Sequence, residues 1–158
     1  MGKKTGPNPT DRAKDGTKRS LLTEADGVPV GIAVDGANRN DFKMVQQTVQ
    51  SIPGRRPRPT GTDRQNLCRD KGYDYDEVRE LLKKFRFTEH ILSRGEEAKA
   101  IKQSARFKAR RWGVERTHSW LNRFRRILVR WEKKAENYVA MLHFVCGIIT
   151  WKASGRLG

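Results

Sequence analysis

The chain has 158 residues, with 34 Lys or Arg against 18 Asp or Glu, and a formal net charge of +16. This length suits one domain and excludes a large multidomain protein. The charge indicates a polyanionic partner, most often nucleic acid and sometimes an anionic membrane surface. We expect neither a signal peptide nor a membrane-spanning segment. The two cysteines lack metal-site spacing and fit a reducing cytoplasm, with one disulfide as the alternative.

The first third of the chain predicts two strands and a helix. Residues 1–18 are polar and predict a flexible basic loop or tail. Two apolar runs flank Asp26-Gly27, which predicts a β-hairpin over 19–35 because Gly tolerates a positive φ. Apolar residues at helical spacing over 41–52 then predict a helix.

The middle of the chain predicts a strand, a helix and a second strand. A basic, proline-rich loop at 53–64 leads to a short strand that ends near Asp70. An apolar stripe after Asp74 predicts a helix, and FTEHIL at 87–92 predicts the next strand. Residues 94–109 are polar and basic, which indicates a helical or disordered connector.

The last third of the chain predicts two helices. Apolar residues recur every three or four positions over 114–131, as on one face of a helix. A second apolar stripe over 138–149 predicts a helix buried in the core. The order β-β-α-β-α-β-α-α predicts an α/β fold, with one main domain over 19–152 and a short tail at 153–158.

Positive charge is concentrated in residues 106–134, which hold eleven Lys or Arg against Glu115 and Glu132, a net charge of +9. Within this stretch, six arginines surround Glu115 in the sequence RRWGVERTHSWLNRFRR. A run of charge can be no more than a solvated surface, but clustering of this kind favours contact with phosphates.

Two carboxylates are candidates for metal binding. Asp70 follows a predicted strand, and open α/β sheets bind ligands at the carboxyl ends of their strands. Glu115 lies one turn into the predicted long helix. Mg²⁺ prefers oxygen ligands and keeps several waters, so few protein carboxylates suffice to hold it. Two such ions about 4 Å apart would support phosphodiester chemistry.

Simpler explanations exist for both acids. Asp70 fits a turn about equally well, and on local grounds Glu115 fits a surface ion pair with Arg111 or Arg116 better than a metal site. His118 and His143 fit ordinary helix positions better than metal ligation. Core or rim packing explains the tryptophans at 112, 120 and 131 better than base stacking does. The residues alone therefore indicate a basic α/β nucleic-acid binder and leave metal dependence open.

Three segments carry a family resemblance that covers nearly the whole chain in order. They read GPNPTDRAKDGTKRSLLTEADGVPVGIAVDGANRND, LCRDKGYD and RRWGVERTHSWLNRFRRILVRWEKKAENYVAMLHF. The chain resembles the DDE transposases of bacterial insertion sequences, in the branch with an RNase H-like catalytic domain. The resemblance implies a mixed sheet with flanking helices, an Asp-Asp-Glu triad, and DNA cleavage and strand transfer with Mg²⁺ or Mn²⁺.

The family motifs match particular residues here. The second acid matches Asp70 and the third matches Glu115, so both are expected to be catalytic and to bind metal. The late motif departs at Lys108, where an aromatic is usual, and at Asn122, where Lys is commoner and Arg123 is a substitute. The resemblance and the charge together predict DNA contacts from Arg110, Arg111, Arg116, Asn122, Arg123, Arg125, Arg126 and Arg130.

The family's first acid has no match, because it lies on a strand that precedes the GPNPTDR-like segment. The aspartates at 11 and 15 fall in the loop after that expected strand, and those at 35 and 41 flank the end of the third strand. The resemblance therefore implies the C-terminal portion of a transposase without its first strand, either a decayed copy or a second reading frame joined to an upstream one. We expect such a portion to be inactive alone, and either prone to aggregate through open strand edges or only partly ordered. Its partners would be element-end and target DNA, and an upstream frame or another transposase subunit.

Two other functions are open. The chain can be a basic DNA-binding remnant without catalysis, which would bind DNA by counterion release. A weaker alternative is a ribosome-type RNA binder, against which the family resemblance argues. Strand cleavage that depends on Glu115 would distinguish the transposase from both.

Overall fold

The computed structural model of the protein describes residues 4–69, 75–91 and 112–155. The chain divides into two compact units: the first combines residues 1–53 with 113–158, and the second is 54–112. Each unit contains both helices and strands, which confirms the mixed α/β class.

The predicted elements occur in the predicted order in the described residues, with an additional strand, Gly6–Pro7, and an additional short helix, Arg125–Leu128. The elements are β1 Gly6–Pro7, β2 Asp15–Thr23, β3 Pro29–Gly36, α1 Asp41–Gln50, β4 Asn66–Arg69, α2 Asp76–Lys84, β5 Thr88–Ile91, α3 Trp112–Asn122, α4 Arg125–Leu128 and α5 Ala135–Ala153. The loop predicted over 1–18 is wrong in part, because β1 pairs with the start of β2. The predicted connector at 94–109 lies outside the described residues.

The first unit is built on an antiparallel sheet in the order β1-β2-β3. The predicted hairpin is confirmed, with Leu21 opposite Ile32 and Arg19 opposite Val34. The carboxylate of Glu24 accepts hydrogen bonds from the backbone amides of Asp26 and Val28, both at 2.9 Å, and so closes the turn. This satisfies backbone donors that the turn would otherwise leave without partners.

Helices cover both faces of this sheet. On one face, the Ser20 and Thr48 hydroxyls lie 2.8 Å apart and join β2 to α1. On the other, Ile32 and Val34 pack in a buried cluster with Leu142, Val145 and other residues of α5. The predicted core role of the last helix is therefore confirmed. Within the described residues, no helix is long and apolar enough to cross a bilayer.

The long helix predicted over 114–131 is wrong beyond residue 122. α3 ends at Asn122, and Phe124 has extended backbone with φ −94° and ψ 92° before the single turn of α4. Because the helical phase is lost there, Ile127 is buried and Leu128 is exposed. The segment from 129 to 134, between α4 and α5, contains neither helix nor strand.

The second unit contains the predicted strand–helix–strand order. Strands β4 and β5 pair in parallel, with Leu67 opposite Glu89. Val78 and Leu82 of α2 are buried. The loop at 53–64 is attached through Arg56, whose guanidinium lies 4.0 Å from the centre of the Phe87 ring. Burial lowers the pKa of Arg56 from its usual value.

Candidate functional site

The helix that carries Glu115 begins against the turn of the hairpin. A Cβ added to Gly27, which has φ +86°, would lie 2.9 Å from the carbonyl oxygen of Gly113. A Cβ added to Gly113 would lie 3.2 Å from the Glu24 carbonyl oxygen. Two glycines thus allow the backbones of turn and helix to approach closely, which fixes the position of the helix start.

Thr117 attaches the same helix to the hairpin from one turn further on. Its side chain is fully buried, and its hydroxyl donates to the carbonyl oxygen of Gly27. The hydroxyl oxygen also lies 2.9 Å from the carbonyl oxygen of Gly113, four residues back in the helix. Leu121 is buried four residues on and continues this inward face.

Glu115 lies on the outward face of α3. It is exposed, and Ser119 and Asn122, four and seven residues on, are exposed as well. Residues at this spacing share one side of a helix, so Glu115 and Asn122 lie along the same surface. The position of Glu115 in the first turn also suits a negative charge, because it lies near the positive end of the helix dipole.

The ion pair proposed as the simpler role of Glu115 is absent from the described residues. No Lys or Arg of these residues lies within ion-pair distance of Glu115. Arg116 instead lies with its guanidinium 4.5 Å from the centre of the Trp120 ring. It also donates to the Asp26 carbonyl oxygen at 3.3 Å. Arg111, the other predicted partner, is outside the described residues.

Asp70, the second predicted catalytic acid, also lies outside the described residues. The strand before it is confirmed as β4, with Leu67 buried and Arg69 ion-paired to Glu89 of the parallel strand β5. That pair attaches the carboxyl end of β4, the residue before Asp70, to its neighbour. A shared metal site of Asp70 and Glu115 remains a prediction.

Other acids of the first unit are held by local partners. Asp35, at the end of β3, accepts a hydrogen bond from the Gly36 amide at 2.9 Å and lies 3.6 Å from Arg39. Asp41 pairs with Lys18 at 3.2 Å. In the parts of the chain that the structure describes, no group of three or more His, Cys, Asp or Glu could hold a metal ion.

The arginines predicted to contact DNA occupy different environments. Arg123 and Arg125 are exposed. Arg126 is also exposed and pairs with Glu132 at 2.9 Å. Arg130 is turned inward and donates to the carbonyl oxygens of Glu132 and Lys133 at 3.0 and 3.2 Å. Their DNA contacts, and those of Arg110 and Arg111 outside the described residues, remain predictions.

Three further side chains of the C-terminal region bear on the sequence predictions. His118 is half-buried in α3, and burial first, then the nearby Arg19 cation, lowers its pKa. Trp120 packs against the core cluster, as predicted. The packing prediction is wrong for Trp131, whose side chain is 69% exposed. The apolar spacing over 114–131 gave no signal of this exposure, because the helix it predicted ends early.

Comparisons with known proteins define the class. The family model described as the transposase DDE domain matches residues 2–149. The chain therefore belongs to the DDE transposase family, as its resemblance implied.

A particular relative supports this assignment. The chain is 36% identical over 156 residues to a protein of Burkholderia cepacia described as a putative transposase for insertion sequence element IS402. The match covers 97% of this chain and 71% of the relative. No solved structure matches the chain.

Proposed function

We propose that the chain is the catalytic portion of an insertion-sequence transposase with an RNase H-like core, acting on DNA in the cytoplasm. It would bind the ends of the element and the target DNA, cut the strands and join them. The observation that carries the proposal is the placement of Glu115. Its carboxylate is exposed in the first turn of a helix that two glycines and a buried threonine attach to the sheet.

The proposed site uses Asp70 and Glu115 to hold Mg²⁺ or Mn²⁺. Carboxylate oxygens are the donors that these hard cations prefer, and a surface acid leaves room for metal-bound water and phosphate. The metal would supply Lewis-acid stabilisation of the attacking and leaving oxygens. Exposed cations near α3, such as Arg123, would hold the DNA phosphates beside the carboxylates.

The proposed reaction has two steps. In the first, water attacks a phosphodiester at the element end, the P–O3′ bond breaks, and a free 3′ hydroxyl remains. In the second, that hydroxyl attacks a target phosphodiester, and the target strand's own 3′ oxygen leaves. Asp70 and Glu115 would act on the reacting phosphate through the metal they hold in both steps, so one site would serve cleavage and joining.

The proposed activity needs more than these two acids. The family resemblance implies three acids and matches two in this chain, Asp70 and Glu115. We therefore propose that cleavage needs a third carboxylate, supplied by another transposase subunit. Cleavage assays should accordingly be run on the chain alone and on the chain mixed with a fragment that carries a strand with an aspartate.

The test compares two glutamates, each in the first turn of a helix and each exposed. In a Mn²⁺-dependent cleavage assay on element-end DNA, Glu115→Gln should lower the rate by about 100-fold or more while DNA affinity is retained. Glu136→Gln in α5 should change the rate by less than about twofold. Equal effects of the two substitutions would contradict the metal-binding role of Glu115.

A second function, DNA binding without catalysis, rests on the exposed cations Arg123 and Arg125. It predicts DNA binding that survives substitution of Asp70 or Glu115, and no cleavage in any mixture of fragments. Cleavage that is lost in Glu115→Gln would exclude it.

A further inference from the structure

Trp131 lies in the segment between α4 and α5 and is the most exposed large apolar side chain of the described residues, at 69%. Val129, two residues before it, is 57% exposed. Exposing an indole ring to water costs free energy, because most of the ring surface is apolar. An aromatic ring held out in this way therefore favours contact with a partner over a structural role.

The neighbours of Trp131 hold the ring in this position. On one side, Arg130 turns inward, and its guanidinium donates to the Lys4 carbonyl oxygen at 3.3 Å. On the other side, the Glu132 side chain is only 8% exposed and pairs with Arg126. Backbone angles at Val129 and Lys134, the two ends of the segment, are extended. Because Arg130 and Glu132 are both bonded to other parts of the protein, the ring between them is left on the surface.

The segment is also attached to the core at both ends. Ile127 and Ala135 are buried, and the Tyr138 hydroxyl donates to the Ile127 carbonyl oxygen at 3.0 Å. The ring thus projects from a backbone whose flanking residues are already fixed. A surface prepared in this way loses less conformational entropy when it binds a ligand.

The charges around Trp131 identify the chemistry of that ligand. Residues 124–134 contain five Lys or Arg and one acid, Glu132, a net charge of +4. Arg125, Lys133 and Lys134 are exposed. The cores of protein–protein interfaces are depleted of charged residues and of lysine in particular, whereas an aromatic ring among cations is typical of surfaces that bind single-stranded nucleic acid.

We propose that Trp131 stacks on an unpaired base of DNA that the surrounding cations hold by its phosphates. The base must be unpaired because both faces of a base within a duplex are covered by its neighbours. Such bases occur where strands are parted or cut, so this contact rests on the DNA-binding part of the proposed function. It adds a base contact to a surface for which only phosphate contacts were predicted.

The test compares two exposed tryptophans. Trp151, on α5, is 54% exposed and lies outside residues 124–134. Trp131→Ala should weaken binding to a duplex with a three-nucleotide unpaired end by about 5- to 100-fold, the effect of losing one stacked base. Binding to the fully paired duplex should change by less than about twofold, and the salt dependence should stay the same because no charge is removed. Trp131→Phe should lose less than Trp131→Ala, and Trp151→Ala should bind both DNAs as the wild type does.

A second measurement tests whether the Trp131 ring contacts the base itself. Replacing the unpaired nucleotides by abasic ones should weaken binding of the wild type, and Trp131→Ala should then have no further effect. The proposal is overturned if Trp131→Ala binds the unpaired end as the wild type does, if it weakens both DNAs equally, or if it changes only self-association of the chain. Stacking with no cleavage in any mixture of fragments would refute the proposed reaction and leave this contact standing. Cleavage with no effect of Trp131→Ala on DNA binding would refute the stacking contact and leave the proposed reaction standing.

Discussion

At the scale of single residues, Thr117 connects the helix of the proposed acid to the hairpin. Thr117→Val keeps the shape and the helix propensity but removes the hydroxyl that donates to the buried Gly27 carbonyl. We expect the free energy of unfolding to fall by about 1–3 kcal/mol, because the carbonyl would be left without this donor. Urea denaturation followed by circular dichroism measures the change.

Thr150 supplies the matched control for this prediction. Its hydroxyl also bonds the carbonyl four residues back, at 2.9 Å from Cys146, but Thr150 is exposed and its hydrogen bond stays within α5. Thr150→Val should cost less than about 0.5 kcal/mol. Equal losses for the two variants would mean that the bond from α3 to the hairpin contributes nothing.

At the scale of elements, the contact between the hairpin turn and α3 depends on Gly27. Gly27→Ala would place a Cβ 2.9 Å from the Gly113 carbonyl oxygen, on a residue with φ +86°. Both effects destabilise, at about 1–2 kcal/mol for the left-handed backbone and about 1–3 kcal/mol for the crowding. We expect a lower melting temperature and, because Glu115 lies two residues from Gly113, slower cleavage.

The control for the turn is Gly54, which has φ +80° and open space where a Cβ would be added. Gly54→Ala therefore carries the free-energy cost of the left-handed backbone but adds no steric crowding. The difference between the two variants measures the close approach of helix and turn. A Gly27→Ala protein as stable as Gly54→Ala would show that the two backbones need not approach so closely.

The elements also show which features the sequence could predict. The hairpin was predictable because its signals are local: Asp26-Gly27 lies between two apolar runs. The end of α3 could not be predicted, because the apolar spacing continues through residue 131. The chain after α3 is instead held by contacts with residues that are distant in the sequence. Arg130 reaches the Lys4 carbonyl oxygen and lies 3.5 Å from the Thr17 hydroxyl, more than a hundred residues earlier.

The same distinction applies to the candidate site. The exposure of Glu115 fits its place beside the apolar stripe of α3, which is a local property of a helix. The exposure of Trp131 and the inward turn of Arg130 depend on contacts across the first unit, so neither was visible in the sequence. Asp70 was identified by its place after a predicted strand and by its motif, and it lies outside the described residues.

At the scale of the whole molecule, the chain, with a net charge of +16, should bind DNA through counterion release at the phosphates that it contacts. The logarithm of the binding constant should fall linearly with the logarithm of the salt concentration. Two exposed residues, Arg123 and Arg125, are expected to contact phosphates. Changing either to Gln should therefore reduce the magnitude of that slope by about 1, and weaken binding to unrelated sequences as much as to element ends.

Lys83 distinguishes phosphate contact from net charge alone. It is exposed on α2, in the second unit, and pairs with Glu80 at 3.0 Å. Lys83→Gln lowers the net charge by the same amount as Arg123→Gln, so a purely global effect would change both slopes equally. We expect the slope to change only for the arginines, because counterions are released where phosphates are contacted. Fluorescence anisotropy of labelled duplex DNA at several salt concentrations would measure the slopes of all three variants. Equal slopes for Lys83→Gln and Arg123→Gln would mean that the basic stretch after α3 is not the DNA-binding surface.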